Sequence, residues 1–71
     1  MERYKTRLKE FRDAAGLTQQ ELAEITGVGL RTIATMEGAK GSNPSAGTLI
    51  RLMTYFKISF EELIPHKNLT E

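Results

Sequence analysis

Residues 17–37 read LTQQELAEITGVGLRTIATME, and they contain two short helical patterns with a glycine turn between them. Thr18 and Glu21 have the spacing of a capping box, in which each side chain accepts a hydrogen bond from the other residue's backbone N–H. We therefore expect a short helix that begins after Thr18 and ends at Gly27, where a sharp turn needs a positive φ. A second helix is expected over Leu30–Glu37.

The second helix has two unlike faces when its residues are placed at about 100° intervals. Ile33 and Met36 lie on one side and are predicted to face the core, with Glu37 at the edge. The opposite face is small and carries one positive charge. Arginine can donate two hydrogen bonds to guanine, and leucine or a threonine methyl can contact the thymine methyl, so this face suits the major groove of DNA. Its residues are Leu30, Arg31, Ala34 and Thr35.

A further helix is expected over residues 4–15. Leu8, Phe11 and Ala15 fall on one helical face, and Gly16 is a suitable glycine for the C-terminal end. No stretch alternates apolar and polar residues with many β-branched side chains, so we do not expect a sheet.

Two helices are expected after residues 39–44, whose composition is typical of a loop. Ser45 and Thr48 begin the first, and its apolar residues keep helical spacing. Ser59 and Glu62 form a second capping box, which opens a short final helix. The apolar residues of the first of these helices are Leu49, Leu52, Met53 and Phe56.

The composition fits one small domain over residues 1–71, with a core of about 4–64 and a tail of 65–71. The chain has 71 residues, no cysteine and a formal net charge of +1. Disulfides and thiolate metal sites are therefore excluded, and the total charge argues only weakly for a nucleic-acid partner. No apolar run approaches the length of a membrane span or a signal peptide, so we expect a cytoplasmic protein.

Nothing in the sequence assembles a catalytic or metal site. His66 is the only histidine and falls in the predicted tail, and the serines lie in loops or caps without a histidine nearby. There is no glycine-rich phosphate loop and no zinc-ligand spacing. We therefore expect no enzyme activity, no cofactor, no metal and no small-molecule ligand. A run of basic residues near the N-terminus fits two readings equally well, a solvated helix face or a surface for a nucleic-acid partner; its members are Arg3, Lys5, Arg7, Lys9 and Arg12.

The segments LTQQELAE (17–24), GV (27–28), RTI (31–33) and ME (36–37) resemble the phage repressor/Cro type of helix-turn-helix protein, also called the XRE family. The resemblance continues through NPS (43–45), TL (48–49) and ISFEEL (58–63), and it covers roughly residues 5–64. It implies an all-α fold, a compact bundle of about five short helices that is a lambda repressor-like DNA-binding domain.

The resemblance also implies roles for particular residues. The expected helix over Leu30–Glu37 corresponds to the family's recognition helix, which enters the major groove. Its base-reading positions are matched by Leu30, Arg31 and Thr35. Arg12 and Glu37 match a structural ion pair between the first helix and the recognition helix. The positions that match phosphate contacts are Gln19, Thr32, Lys40, Ser42 and Asn43.

Four departures from the family pattern lead to local expectations. Gly29 replaces the usual Ser or Thr at the start of the recognition helix, which weakens its N-cap. Gly38 follows Glu37 one residue earlier than usual; we expect it to be a left-handed stop, followed by a loop with a different path. Lys57 stands where a C-cap glycine is common, so a left-handed backbone there carries strain. Thr26 replaces an apolar residue, and its neighbour Ile25 is expected to provide that packing.

The function that the resemblance implies is sequence-specific binding of double-stranded DNA by a small transcriptional regulator, with a repressor expected. The resemblance also implies a protein that is encoded by a bacterium or phage and associated with the nucleoid. A homodimer through the C-terminal helices would place two recognition helices on a palindromic operator. The alternative is a protein-interaction module, for example an antitoxin-like partner, that keeps the fold and reads little DNA. The low net charge favours this alternative, whereas Gln19 and Arg31 disfavour it. Near the C-terminus, some of the apolar residues are expected in the core and the others in an exposed apolar patch at the end that would form the dimer. These residues are Tyr55, Phe60, Ile64 and Leu69.

Overall fold

The computed structural model describes residues 3–65, and within them the chain forms five helices and no strand. The helices are α1 (Leu8–Ala14), α2 (Gln19–Thr26), α3 (Leu30–Glu37), α4 (Ala46–Phe56) and α5 (Phe60–Leu63). This all-α arrangement is the one that the sequence predicts. His66 and Leu69 lie outside the described residues.

Side-chain caps determine where three of the helices begin. Thr18 accepts a hydrogen bond from the backbone N–H of Glu21 at 3.0 Å, and the Glu21 carboxylate accepts one from the N–H of Thr18 at 2.9 Å. Ser59 and Glu62 form the same reciprocal pair at the start of α5. Ser45 caps α4 by accepting from the N–H of Thr48. All three predicted caps are confirmed, whereas Gly29 gives α3 no side-chain cap.

The core is formed by apolar residues from all five helices, together with Val28 between α2 and α3 and Ile64 after α5. Burial of such a side chain contributes roughly 1.5–3 kcal/mol to stability. Ile33 and Met36 of α3 are both fully buried, as the helical wheel predicts. The buried apolar residues are Leu8, Leu22, Val28, Ile33, Met36, Leu52, Leu63 and Ile64.

The prediction of a helix from residue 4 is wrong, because α1 begins at Leu8. Residues 4–7 cross the loop that follows α3 instead. The N–H of Tyr4 donates to the carbonyl of Ser42 at 2.7 Å, and the N–H of Ser42 donates to the carbonyl of Tyr4 at 3.0 Å. These two bonds form an isolated antiparallel bridge. They provide hydrogen-bond partners for the N–H and carbonyl of Tyr4, which would otherwise have to find partners within a longer helix.

Thr6 fixes the point at which the chain turns into α1. Its hydroxyl accepts a hydrogen bond from the N–H of Leu8 at 3.2 Å and donates one to the carbonyl of Met36 at 3.1 Å. The second bond satisfies a carbonyl in the last turn of α3, where helical partners are missing. The start of α1 and the end of α3 are thereby joined by one side chain.

The left-handed glycine after α3 is Gly41 and not Gly38, which corrects the sequence prediction. Gly38 has φ −71°, whereas Gly41 has φ +75°. A Cβ atom built on Gly41 would lie 2.6 Å from the carbonyl oxygen of Tyr4. Gly41 therefore provides both the backbone conformation and the space that the Tyr4–Ser42 bridge requires.

The packing at the end of α2 also differs from the prediction. Ile25 is 52% exposed and does not replace the missing apolar side chain. Thr26 is half-buried instead, and its hydroxyl donates to the carbonyl of Leu22 at 2.7 Å and accepts from the N–H of Val28 at 3.2 Å. The threonine thus closes the last turn of α2 by hydrogen bonding. Lys57, at the end of α4, has the expected left-handed φ of 58°.

Replacement of Gly41 by Ala is expected to lower the free energy of unfolding by about 2 kcal/mol or more, because left-handed backbone strain is added to a clash with a fixed carbonyl. Gly47 offers a matched control, since it lies in α4 with no neighbouring atom within 4 Å of an added Cβ. Gly47→Ala is expected to raise stability by up to about 1 kcal/mol. Thermal or denaturant unfolding measures both variants, and equal stabilities would contradict this description of the bridge.

Candidate nucleic-acid interface

Helix α3 presents the predicted outward face to solvent. Leu30, Arg31 and Thr35 are exposed, and the opposite side of the helix is fixed by buried Ile33 and Met36. The hydroxyl of Thr35 donates to the carbonyl of Arg31 at 2.9 Å, one turn earlier. Its proton is therefore used within the helix, which leaves the methyl group and the oxygen lone pairs for a partner.

The first residue of α2 is joined to the last residue of α3. The side-chain amide of Gln19 donates from Nε2 to Oε1 of Glu37 at 2.9 Å. An amide nitrogen has two protons, so one N–H of Gln19 remains for an external acceptor such as a phosphate oxygen. The first backbone N–H groups of α2 have no partner within the helix and add to the capacity of this end to bind anions.

Arg12 and Glu37, the residues predicted as an ion pair, form a two-bond contact between α1 and α3. Arg12 donates from Nε to Oε2 of Glu37 at 2.7 Å and from Nη2 to Oε1 at 2.9 Å. Its Nη1 donates to the carbonyl of Leu17 at 2.8 Å. The Glu37 side chain is only 4% exposed. One guanidinium thus joins α1, the segment before α2 and the end of α3.

The surroundings of Glu37 keep its carboxylate ionised. Burial by itself raises the pKa of Glu37, but the hydrogen bonds from Arg12 and Gln19 and the charges of Arg12 and Lys9 outweigh it, so the net pKa is lowered. The pKa of Arg12 is raised, first by its hydrogen bond to Glu37 and against the effect of burial. Both partners are therefore charged at neutral pH.

A groove of about 400 Å³ lies beside α3. One wall is formed by Arg31, Thr32 and Thr35, and the loop after α3 and the start of α4 form the other. The structure therefore brings together several residues predicted to contact bases or phosphates. Lys40 is exposed on the loop but does not line this groove, and Gln19 and Leu30 lie outside it.

Ser42 lies in the wall of the groove, but its side chain is buried, which the sequence did not predict. The residue is 7% exposed, and its hydroxyl oxygen is buried without a hydrogen-bond partner among residues 3–65. Only its backbone N–H and carbonyl bond to a neighbour, and both bond to Tyr4. Ser42 therefore holds the loop through its backbone, and this conformation does not present its hydroxyl to a phosphate.

Arg3 and Arg51 are cations that the sequence did not place in this region. Arg3 lines the groove, and its Nη1 donates to the carbonyl of Gly41 at 3.3 Å. Arg51 donates from Nη1 to the carbonyl of Gly27 at 3.2 Å, so α4 supports the turn between α2 and α3. Neither position has a local signal in the sequence, because both contacts join residues far apart along the chain.

The family model described as helix-turn-helix matches residues 8–63, which include all five helices. The chain belongs to the XRE-type helix-turn-helix family. Two relatives from Archaeoglobus fulgidus, each described as an uncharacterized HTH-type transcriptional regulator, are 39% and 37% identical to it over 59 residues. Each match covers 83% of this chain, and 83% and 82% of the respective relative. No solved structure matches the chain significantly.

Among residues 3–65, no group of three or more His, Cys, Asp or Glu side chains is arranged to hold a metal ion. None of the helices in the same range combines the length and the apolar character that crossing a membrane requires.

The ion pair predicts a specific dependence of stability on pH. The pKa of Glu37 is lower in the folded protein than in the unfolded chain. Its stabilisation is therefore complete above the ordinary glutamate pKa of about 4.3, and it is lost as the pH falls below that value and through the lower pKa of the folded protein. Glu37→Gln is expected to lower the free energy of unfolding at pH 7 by roughly 3 kcal/mol, because Arg12 loses its partner. The difference in unfolding free energy between Glu37→Gln and the wild type should narrow as the pH falls below about 4.3.

Glu10→Gln is the control for this measurement. Glu10 pairs with Arg7 on the surface, and its side chain is 65% exposed, so its substitution should cost less than about 1 kcal/mol. Unfolding of the three proteins across this pH range measures the effect. A difference between Glu37→Gln and the wild type that stays constant with pH would contradict the assignment.

Proposed function

We propose that this protein binds double-stranded DNA sequence-specifically and regulates transcription by inserting α3 into the major groove. The observation that supports the proposal most strongly is the exposed face of α3, which carries Leu30, Arg31 and Thr35 on a helix fixed by buried residues. Arg31 would donate two hydrogen bonds to a guanine, while Leu30 and the Thr35 methyl would contact thymine methyl groups. Binding rather than catalysis is the proposed activity.

Phosphate contacts on both sides of α3 would fix its position in the groove. Gln19 would bind one strand through its second amide proton and the backbone at the start of α2. Thr32, Lys40 and Asn43 would bind the other strand from the edge of α3 and from the loop. Ser42 would support this contact through its backbone bonds to Tyr4.

We further propose that two copies form a two-fold dimer through their C-terminal helices. Tyr55 is 40% and Phe60 41% exposed, which leaves apolar surface near the end of α4 and the start of α5. A two-fold dimer would place its recognition helices about 34 Å apart on a palindromic operator. Bound there, the dimer would repress transcription by blocking polymerase.

A protein-interaction module is the second candidate function. The net charge of +1 and the exposure of Ile25 and Ile50, at 52% and 58%, favour a protein partner over DNA. In that case the face of α3 would not read bases. The two functions differ in their response to salt, because contacts to DNA phosphates release counterions.

The experiment that tests the proposal is selection of binding sites from a random double-stranded DNA pool, with wild type and Arg31→Ala in parallel. The wild type should select a palindrome whose half-site centres are about one helical turn apart. Arg31→Ala should bind the selected site with about 1–3 kcal/mol less free energy and lose its preference at one base pair of each half-site.

Arg31→Lys is the matched control, since it keeps the charge but removes the planar pair of donors. It should keep the salt dependence of the wild type and lose part of the base preference. Failure of the wild type to enrich any sequence, even at low salt, would overturn the proposed function. Equal weakening by Arg31→Ala on all sequences would show that Arg31 contacts phosphate instead.

A further inference from the structure

We propose that Arg3 is an additional DNA-binding residue that contacts a backbone phosphate beside the recognition helix. This inference rests on the proposed function and extends it to a segment that lies before the matched part of the family model, which begins at residue 8. Within residues 3–65, the cationic side chains that line the groove beside α3 are Arg3 and Arg31.

The Tyr4–Ser42 bridge determines where Arg3 lies. Two backbone hydrogen bonds of 2.7 and 3.0 Å fix residue 4 to the loop after α3. Gly41 allows this approach, because any Cβ there would meet the Tyr4 carbonyl. The residue before Tyr4 is thereby brought to the groove, although it lies 28 positions from Arg31 in the sequence.

The guanidinium of Arg3 keeps donors for a ligand. Its Nη1 donates to the carbonyl of Gly41 at 3.3 Å, which orients the group against the loop. A guanidinium has five N–H donors, so four remain for the oxygens of a phosphate. Two other arginines of the N-terminal run bind partners within the protein and do not line the groove. Arg7 stacks on Phe11 and pairs with Glu10, and Arg12 binds Glu37.

One further feature of the groove favours an anion at this place. The start of α4, an 11-residue helix capped by Ser45, lines the groove and directs the positive end of its dipole there. Because Arg3 is fixed to the loop and not to α3, we assign it to a phosphate and not to a base edge.

Arg3→Gln tests the inference by its effect on salt dependence. On the selected operator, we expect binding about five- to tenfold weaker at 100 mM salt, and a slope of log K against log[salt] that is less steep by about one. The base preference should stay unchanged. Arg3→Lys should keep the wild-type slope, because it retains the charge.

Arg7→Gln is the matched control, since it makes the same substitution in the same segment at an arginine directed at Phe11 rather than at the groove. It should leave the slope unchanged. If Arg3→Gln binds with wild-type affinity and slope, or if it changes the base preference, the assignment is wrong while the proposed function stands. If the wild type binds no DNA, both proposals fall together.

Discussion

The ion pair between Arg12 and Glu37 fixes helices α1, α2 and α3 relative to one another, and the candidate DNA interface depends on this arrangement. Glu37 is the last residue of α3, and its two carboxylate oxygens receive hydrogen bonds from Arg12 of α1 and Gln19 of α2. The orientation of the recognition helix relative to the start of α2 is therefore set by one nearly buried carboxylate. A buried pair of this kind adds little net stability over an apolar replacement, but loss of one partner is costly. We infer that its main contribution is to positioning.

A second constraint acts at the other edge of α3. The Tyr4–Ser42 bridge fixes the N-terminal segment to the loop, and Thr6 joins the end of α3 to the start of α1. Both contacts join segments more than 25 residues apart in the sequence. The candidate interface is therefore composed of the start of α2, the outward face of α3, and the loop with the segment that crosses it.

Features set by neighbouring residues could be predicted from the sequence. The capping boxes at Thr18 and Ser59 and the positive φ of Gly27 depend on a few adjacent positions, and the structure contains all of them. The division of α3 into a buried and an exposed face follows from helical periodicity alone. These local rules explain why the fold could be predicted nearly in full.

The features that could not be predicted depend on contacts between distant residues. Helical spacing continues back to Tyr4, yet its backbone pairs with Ser42, so α1 begins later. The same bridge requires the left-handed backbone at Gly41, whereas the sequence predicts it at Gly38. It also buries the Ser42 hydroxyl and brings Arg3 to the groove. A single tertiary contact therefore accounts for most of the differences at the site.

Binding of DNA across α3 and the segments on either side of it can be observed by titrating the ¹⁵N-labelled protein with its selected operator. We expect the amide chemical shifts to change most at the start of α2, along α3, in residues 38–44 and at residue 3. Shift changes confined to α5 and the end of α4, with α3 unaffected, would contradict it.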